Sequence, residues 1–185
     1  MATTSFMLKV VEELQRTADQ MKEQDTEKIV ETIIEANKIF VAGTGRSGFM
    51  GKSFAMRLMH MNYNVYVVGE TITPAIEKND LLIVGSGSGE TGSLLTMVEK
   101  ARSVGATVLL VTTSAESSIG KVADMTVTIP AKAKAEGDNQ DITIQPMGSL
   151  FEQALLLFYD SLVLSLMEKK TLQGSRMFGQ HANLE

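Results

Sequence analysis

Cysteine and tryptophan are absent from this chain of 185 residues, and histidine occurs only twice. Without cysteine there is no disulfide scaffold, no cysteine-ligated zinc, no iron–sulfur cluster and no thiol nucleophile, which fits a reducing cytoplasm. Positive charge is also scarce. Lys and Arg number 17 against 22 Asp and Glu, a net of −5, which removes the field that non-specific nucleic-acid or anionic-membrane binding requires. An anionic ligand must then be held by local dipoles. The N-terminal residues lack the basic and apolar regions of a signal peptide. The most apolar stretch, Ala154 to Met167, is broken by Asp160 and falls short of the roughly 20 residues of a spanning helix, so it reads as a buried helix. What is present is a globular composition, 44% hydrophobic and 21% charged, in a length suited to one domain.

The periodicity alternates between helix and strand. Phe6, Val10, Val11, Leu14, Ala18 and Met21 recur at helical spacing over 6–22, with Glu12, Glu13, Gln15 and Arg16 between them, and Ile29, Val30, Ile33 and Ile34 form a stripe over 26–36. Continuous apolar strands are predicted at 38–42, 65–68, 81–84, 107–112 and 125–129, with helices at 47–61, 93–103, 117–123 and 149–169. Strands apolar on both faces and separated by helices indicate a parallel sheet covered on both sides. The expected fold class is α/β, a three-layer αβα sandwich on a mainly parallel five-stranded sheet, with residues 1–36 as an N-terminal helical extension and 37–185 as the main domain. That extension reads either as a solvent-facing appendage or as an arm that packs on another subunit. The polar run 131–145 reads as a long surface loop leading into Gln145-Pro146-Met147-Gly148-Ser149-Leu150-Phe151-Glu152.

Two loops carry the strongest signal. An apolar strand runs into Gly-Thr/Ser-Gly and then a helix at Gly43-Thr44-Gly45-Arg46-Ser47-Gly48, and again at Gly85-Ser86-Gly87-Ser88-Gly89-Glu90-Thr91. Glycine permits close approach of backbone to a ligand, and the following helix N-terminus offers free N–H groups to a phosphate. The first loop also matches a dinucleotide fingerprint, with Glu70 standing 22 residues past Gly48 where a ribose-binding acid would sit. The second loop favours a phosphate monoester, because Ser86, Ser88 and Thr91 alternate hydroxyls with glycines. Neither loop ends in Gly-Lys-Ser/Thr, so neither is a Walker loop.

The second loop resembles the phosphosugar signature of the sugar-isomerase (SIS) domain family, and the first is similar to that family's first-strand loop. Together with Arg57-Leu58-Met59-His60, the segment 145–152 and the terminal His181-Ala182-Asn183-Leu184-Glu185, the whole chain resembles the 6-phospho-3-hexuloisomerases. The resemblance implies an SIS-type, flavodoxin-like sheet and conversion of 3-hexulose 6-phosphate to fructose 6-phosphate in formaldehyde fixation by the ribulose monophosphate route. It also implies no cofactor or metal, a cytoplasmic homotetramer, and functional coupling to 3-hexulose-6-phosphate synthase.

Moving a carbonyl between C3 and C2 needs a base for the C2 proton and groups that polarise the oxygens. With the ketone at C3 and O6 phosphorylated, the substrate forms no five- or six-membered hemiketal, so no residue is needed for ring opening. Glu152, at the start of the last helix among Leu150, Phe151, Leu155 and Leu156, is the candidate base, and in the resembled family the matching glutamate has that role. His60 and His181 are candidate proton carriers, although a histidine closing a helix also suits the dipole there. Gly45, Arg46, Ser47, Ser86, Gly87, Ser88, Gly89, Glu90 and Thr91 are the candidate substrate and phosphate contacts, with Ser47 placed as a helix cap. The twelve methionines read as adaptable core and interface. A short domain of this kind supplies a phosphate cradle and a base but few walls, which argues for sites completed by neighbouring subunits.

Overall fold

A computed structural model describes residues 2–21, 26–131, 143–172 and 174–184. The expected loop thus lies mostly outside the described residues. Five strands, β1 (Ile39–Gly43), β2 (Val65–Val67), β3 (Leu81–Gly85), β4 (Thr107–Thr112) and β5 (Met125–Thr128), form one parallel sheet in the order β2-β1-β3-β4-β5. This is the flavodoxin-like doubly wound order. Alternate strand residues feed two cores, as the two-residue period of a strand requires. Ile39, Val41, Leu81, Ile83, Leu109 and Val111 face one helical layer, while Phe40, Ala42, Leu82, Val84, Val108 and Leu110 face the other.

The layers are unequal. One holds α2 (Thr26–Glu35), α3 (Gly45–His60) and α5 (Ser149–Lys169), with α1 (Thr3–Asp19) packed on α5; the other holds α4 (Gly92–Ser103) and turns. A short α6 (Gly174–Phe178) follows. By length and composition α5 could cross a membrane, yet Leu150, Phe151, Leu155, Tyr159, Leu162 and Leu166 are buried in the core and Phe54 of α3 stacks on Tyr159 at 4.5 Å.

One expectation is corrected and two are narrowed. The segment 117–123 is a set of turns rather than a helix, because Lys121 and Ala123 close one turn back to Ser117 and Ile119 and the chain then runs into β5, too soon to propagate. The segment 1–36 is not a detached extension, since Ile29, Val30 and Ile33 of α2 lie in the main core. And α1 buries only part of its apolar stripe on its own chain: Leu14 and Met21 pack against the main core and Glu13 and Thr17 are buried, whereas Phe6 and Val11 are exposed.

Candidate active site

The site is built where the winding of the sheet reverses. β1 and β3 are neighbours with Gly43 paired to Gly85, and the strands that follow lie to opposite sides, which opens a crevice at their C-terminal ends. Each strand releases the chain into a helix, with Thr44 as N-cap of α3 and Thr91 as N-cap of α4. Both are extended, and neither hydroxyl closes onto its own helix. The first-turn N–H groups of two helices are therefore left to a ligand. Ser47, expected as a cap, lies within α3 because the helix begins earlier, at Gly45.

The first loop is a tight corner. A Cβ on Gly48 would stand 2.7 Å from the carbonyl oxygen of Gly43, so glycine is what lets α3 start against β1. The second loop is a braced cradle. Ser86, itself buried, accepts the Gly89 N–H on its Oγ at 3.2 Å, and Ser88 accepts the Glu90 N–H at 3.2 Å. With the oxygens occupied as acceptors, both hydroxyl hydrogens remain free to donate to an anion. From behind, the Thr112 and Thr113 hydroxyls donate to the Gly87 carbonyl at 3.0 and 2.8 Å, and the Ile119 N–H donates to the Gly89 carbonyl at 3.1 Å. Gly89 has φ +64°, and any side chain there would collide with Ser117.

Glu90 is turned away from the cradle. Its carboxylate accepts the Ser118 N–H at 2.8 Å, a bond that holds the carboxyl below its ordinary range. It braces the loop and cannot donate to a phosphate.

Glu152, in the first turn of α5, reaches the crevice from the helical layer. Its Oε2 lies 2.6 Å from Nε of Arg46, with Glu152 16% and Arg46 59% exposed. The Arg46 N–H is not aligned on that oxygen, so Oε2 is buried with no directed hydrogen bond among the described residues. One residue earlier, the Phe151 ring lies against Gly87, 3.2 Å from where a Cβ would be. The carboxylate therefore stands beside the first loop, on a helix whose preceding residue packs on the second.

The two histidines lie elsewhere in the chain. α3 runs about 24 Å from the loops at its rise of roughly 1.5 Å per residue, and His60 is its last residue, stacked on His181 at 5.6 Å. Arg57 Nη1 lies 3.4 Å from His60 Nδ1. Burial, then the positive Arg57 and then His181 push the buried His60 below its ordinary value. These groups and Asp160 line a cavity of about 420 Å³ at that far end. Within one chain, Arg46 and Glu152 meet the glycine loops, and His60 and His181 do not.

Residues missed from the sequence are Thr112, Thr113, Ser117 and Ser118, which support the cradle from β4 and the turns after it. The run of hydroxyl residues closing an otherwise apolar strand was the available signal. Glu70, the rival ribose acid, is engaged by Lys52 at 2.6 Å. Among the described residues no group of three or more metal-ligating side chains occurs.

Residues 32–157 match the SIS domain family. The chain is 49% identical over 185 residues, spanning all of both chains, to the 3-hexulose-6-phosphate isomerase of Bacillus subtilis strain 168. It is 37% identical over 182 residues to the protein of that name from Mycobacterium gastri, covering 98% of this chain and 91% of that one. A crystal structure of a hypothetical protein from Methanococcus jannaschii, for which a 3-hexulose-6-phosphate isomerase function is inferred, superposes with a TM-score of 0.84 at 34% identity, covering 97% of this chain and 98% of that one.

Proposed function

The chain belongs to the SIS domain family, and on that premise we propose that it interconverts D-arabino-3-hexulose 6-phosphate and D-fructose 6-phosphate. It is an enzyme of phosphosugar chemistry, as its full-length relatives are. The observation that carries the mechanism is the buried Oε2 of Glu152, paired with Arg46 of the first glycine loop at the switch point of the sheet.

The phosphate docks on the hydroxyls of Ser86, Ser88 and Thr91 and on the free N–H groups at the start of α4, where dipole and donors act together. Gly45 and Ser47, at the start of α3, then face the sugar. Glu152 takes the proton from C2 as the C3 carbonyl pair moves to O3, which is protonated to give a cis-enediol. O2 then loses its proton, the carbonyl forms at C2, and Glu152 returns its proton to C3. The Arg46 guanidinium supports the negative charge that develops on the oxygens.

Proton traffic between O2 and O3 falls to His60 and His181 supplied by a neighbouring subunit, because within the chain they are a helix length away. Exposed apolar residues support that assembly, which we read as a homotetramer: Phe6, Met7, Leu8 and Val11 on α1, Phe49, Met56 and Met59 on α3, and Leu157 and Leu164 on α5. The enzyme then works in the cytoplasm downstream of 3-hexulose-6-phosphate synthase, which supplies its substrate.

Glu152→Gln tests the base. Turnover should fall at least about 100-fold while fructose 6-phosphate binding persists, since general acid–base catalysis contributes 10²–10⁴-fold. A variant keeping more than about a tenth of the rate removes the assignment.

A further inference from the structure

A buried carboxylate is costly unless it is hydrogen-bonded, and Glu13 of α1 is only 4% exposed. Its partners all come from one short segment far along the chain. The Thr143 hydroxyl donates to Oε2 at 2.7 Å, the Ile144 N–H to Oε1 at 2.7 Å and the Gln145 side-chain amide to Oε2 at 3.0 Å. Burial alone would raise the Glu13 carboxyl, but these three bonds outweigh it and, with Arg16 nearby, hold it below its ordinary value.

The clamped segment is the approach to Glu152. After Gln145 come Pro146, Met147 in the left-handed region at φ +58°, and Gly148 as the N-cap of α5, which offers no side-chain cap. Burial of Leu150 and Phe151 holds the body of α5 against the sheet. Glu152 follows them in the same first turn, and the chain that enters this turn through Pro146, Met147 and Gly148 has no side-chain cap, so its placement depends on the segment before it.

We propose that Glu13 is a positioning residue for catalysis: by clamping residues 143–145 to α1 it fixes the first turn of α5 and so aims the Glu152 carboxylate at the reacting carbons. This rests on the reading of Glu152 as the base. The phosphate cradle at residues 85–91 takes its hydrogen-bonded bracing from β4 and its following turns, not from α1, so the clamp acts on turnover and leaves substrate capture alone.

The test compares Glu13→Gln, which keeps the shape and one acceptor oxygen, with Glu13→Ala, at a temperature well below the melting point of each. kcat for 3-hexulose 6-phosphate should fall in the order Glu, Gln, Ala, reaching about 10- to 100-fold in the alanine variant, with KM within about twofold, because misplacement of a catalytic group by about 1 Å costs up to 10²-fold. Normal kcat in folded variants with a lowered melting point would overturn the proposal, as would a rise in KM without loss of kcat. If Glu13→Ala does not fold, Thr143→Val and Gln145→Leu each remove one arm of the clamp from outside the core, and unchanged kcat in both overturns it equally. A Glu152→Gln enzyme that keeps its rate removes the base and this inference with it, whereas an inactive Glu152→Gln beside a fully active Glu13→Ala removes the clamp alone.

Discussion

The two glycine loops read alike in sequence and stand next to each other in space, yet their glycines do different work. In the first, Gly43 and Gly48 let backbone touch backbone so that a helix starts at once after a strand, and the product of that corner is the placement of Arg46 against Glu152. In the second, glycines alternate with serines whose oxygens accept local N–H groups, which leaves their hydroxyl hydrogens free to donate elsewhere. The first loop gains its function through packing and the second through hydrogen-bond direction. A glycine-rich motif is thus read by what surrounds its glycines, not by their spacing.

The largest expected contrast comes from the cradle. Ser86→Ala together with Ser88→Ala removes two charge-assisted donors worth about 1.5–3 kcal/mol each, so KM should rise more than about 100-fold while kcat changes little. Steady-state kinetics with unchanged KM would erase the difference between the loops. Next is Gly48→Ala, which forces a Cβ into the Gly43 carbonyl; the backbone must give, at about 1–3 kcal/mol, outweighing the roughly 1 kcal/mol that alanine gains over glycine in a helix. Urea unfolding should show the loss, and a variant as stable as the parent would mean the corner is not tight.

The smallest effect belongs to Glu90. Glu90→Gln loosens the Ser118 brace and should raise KM only about twofold, as befits an exposed charge. Because the folded carboxyl lies below its ordinary 4.5, the brace is intact above that value in the folded protein and is lost as pH falls through the lower, folded one. The ratio of KM between Glu90→Gln and the parent enzyme should therefore stay constant on acidification to about 4.5 and approach one only below it, the substrate's own protonation cancelling in the ratio. A large KM effect of Glu90→Gln at neutral pH would make Glu90 a substrate contact after all.

Both loops were legible because each joins an apolar strand to a helix through a pattern that few alternatives explain. Glu152 stood out as a candidate from its place at the start of a long apolar helix after a polar run, the family resemblance supplied its expected role, and its position beside Arg46 came from packing. Glu13 was not, since in sequence it is one of several charges between apolar residues of an amphipathic helix, and only packing shows that α1 buries this acid while leaving Phe6 and Val11 outside. The helix expected at 117–123 failed for a related reason. It closes a single turn before the chain must enter β5 at Met125, a tertiary demand that periodicity does not contain.

The sequence by itself determined the class of sheet, the two glycine loops at the ends of its strands and the acidic, cysteine-free character that leaves an anionic ligand to local donors and dipoles, because periodicity, glycine placement and charge are properties of neighbours along the chain. The tertiary structure alone decided that Arg46 lies beside Glu152, that His60 and His181 gather a helix length away, and that a carboxylate from the first helix grips the chain ahead of the first turn of α5. Those facts depend on which residues meet after more than a hundred intervening ones, and strand order and helix packing set them.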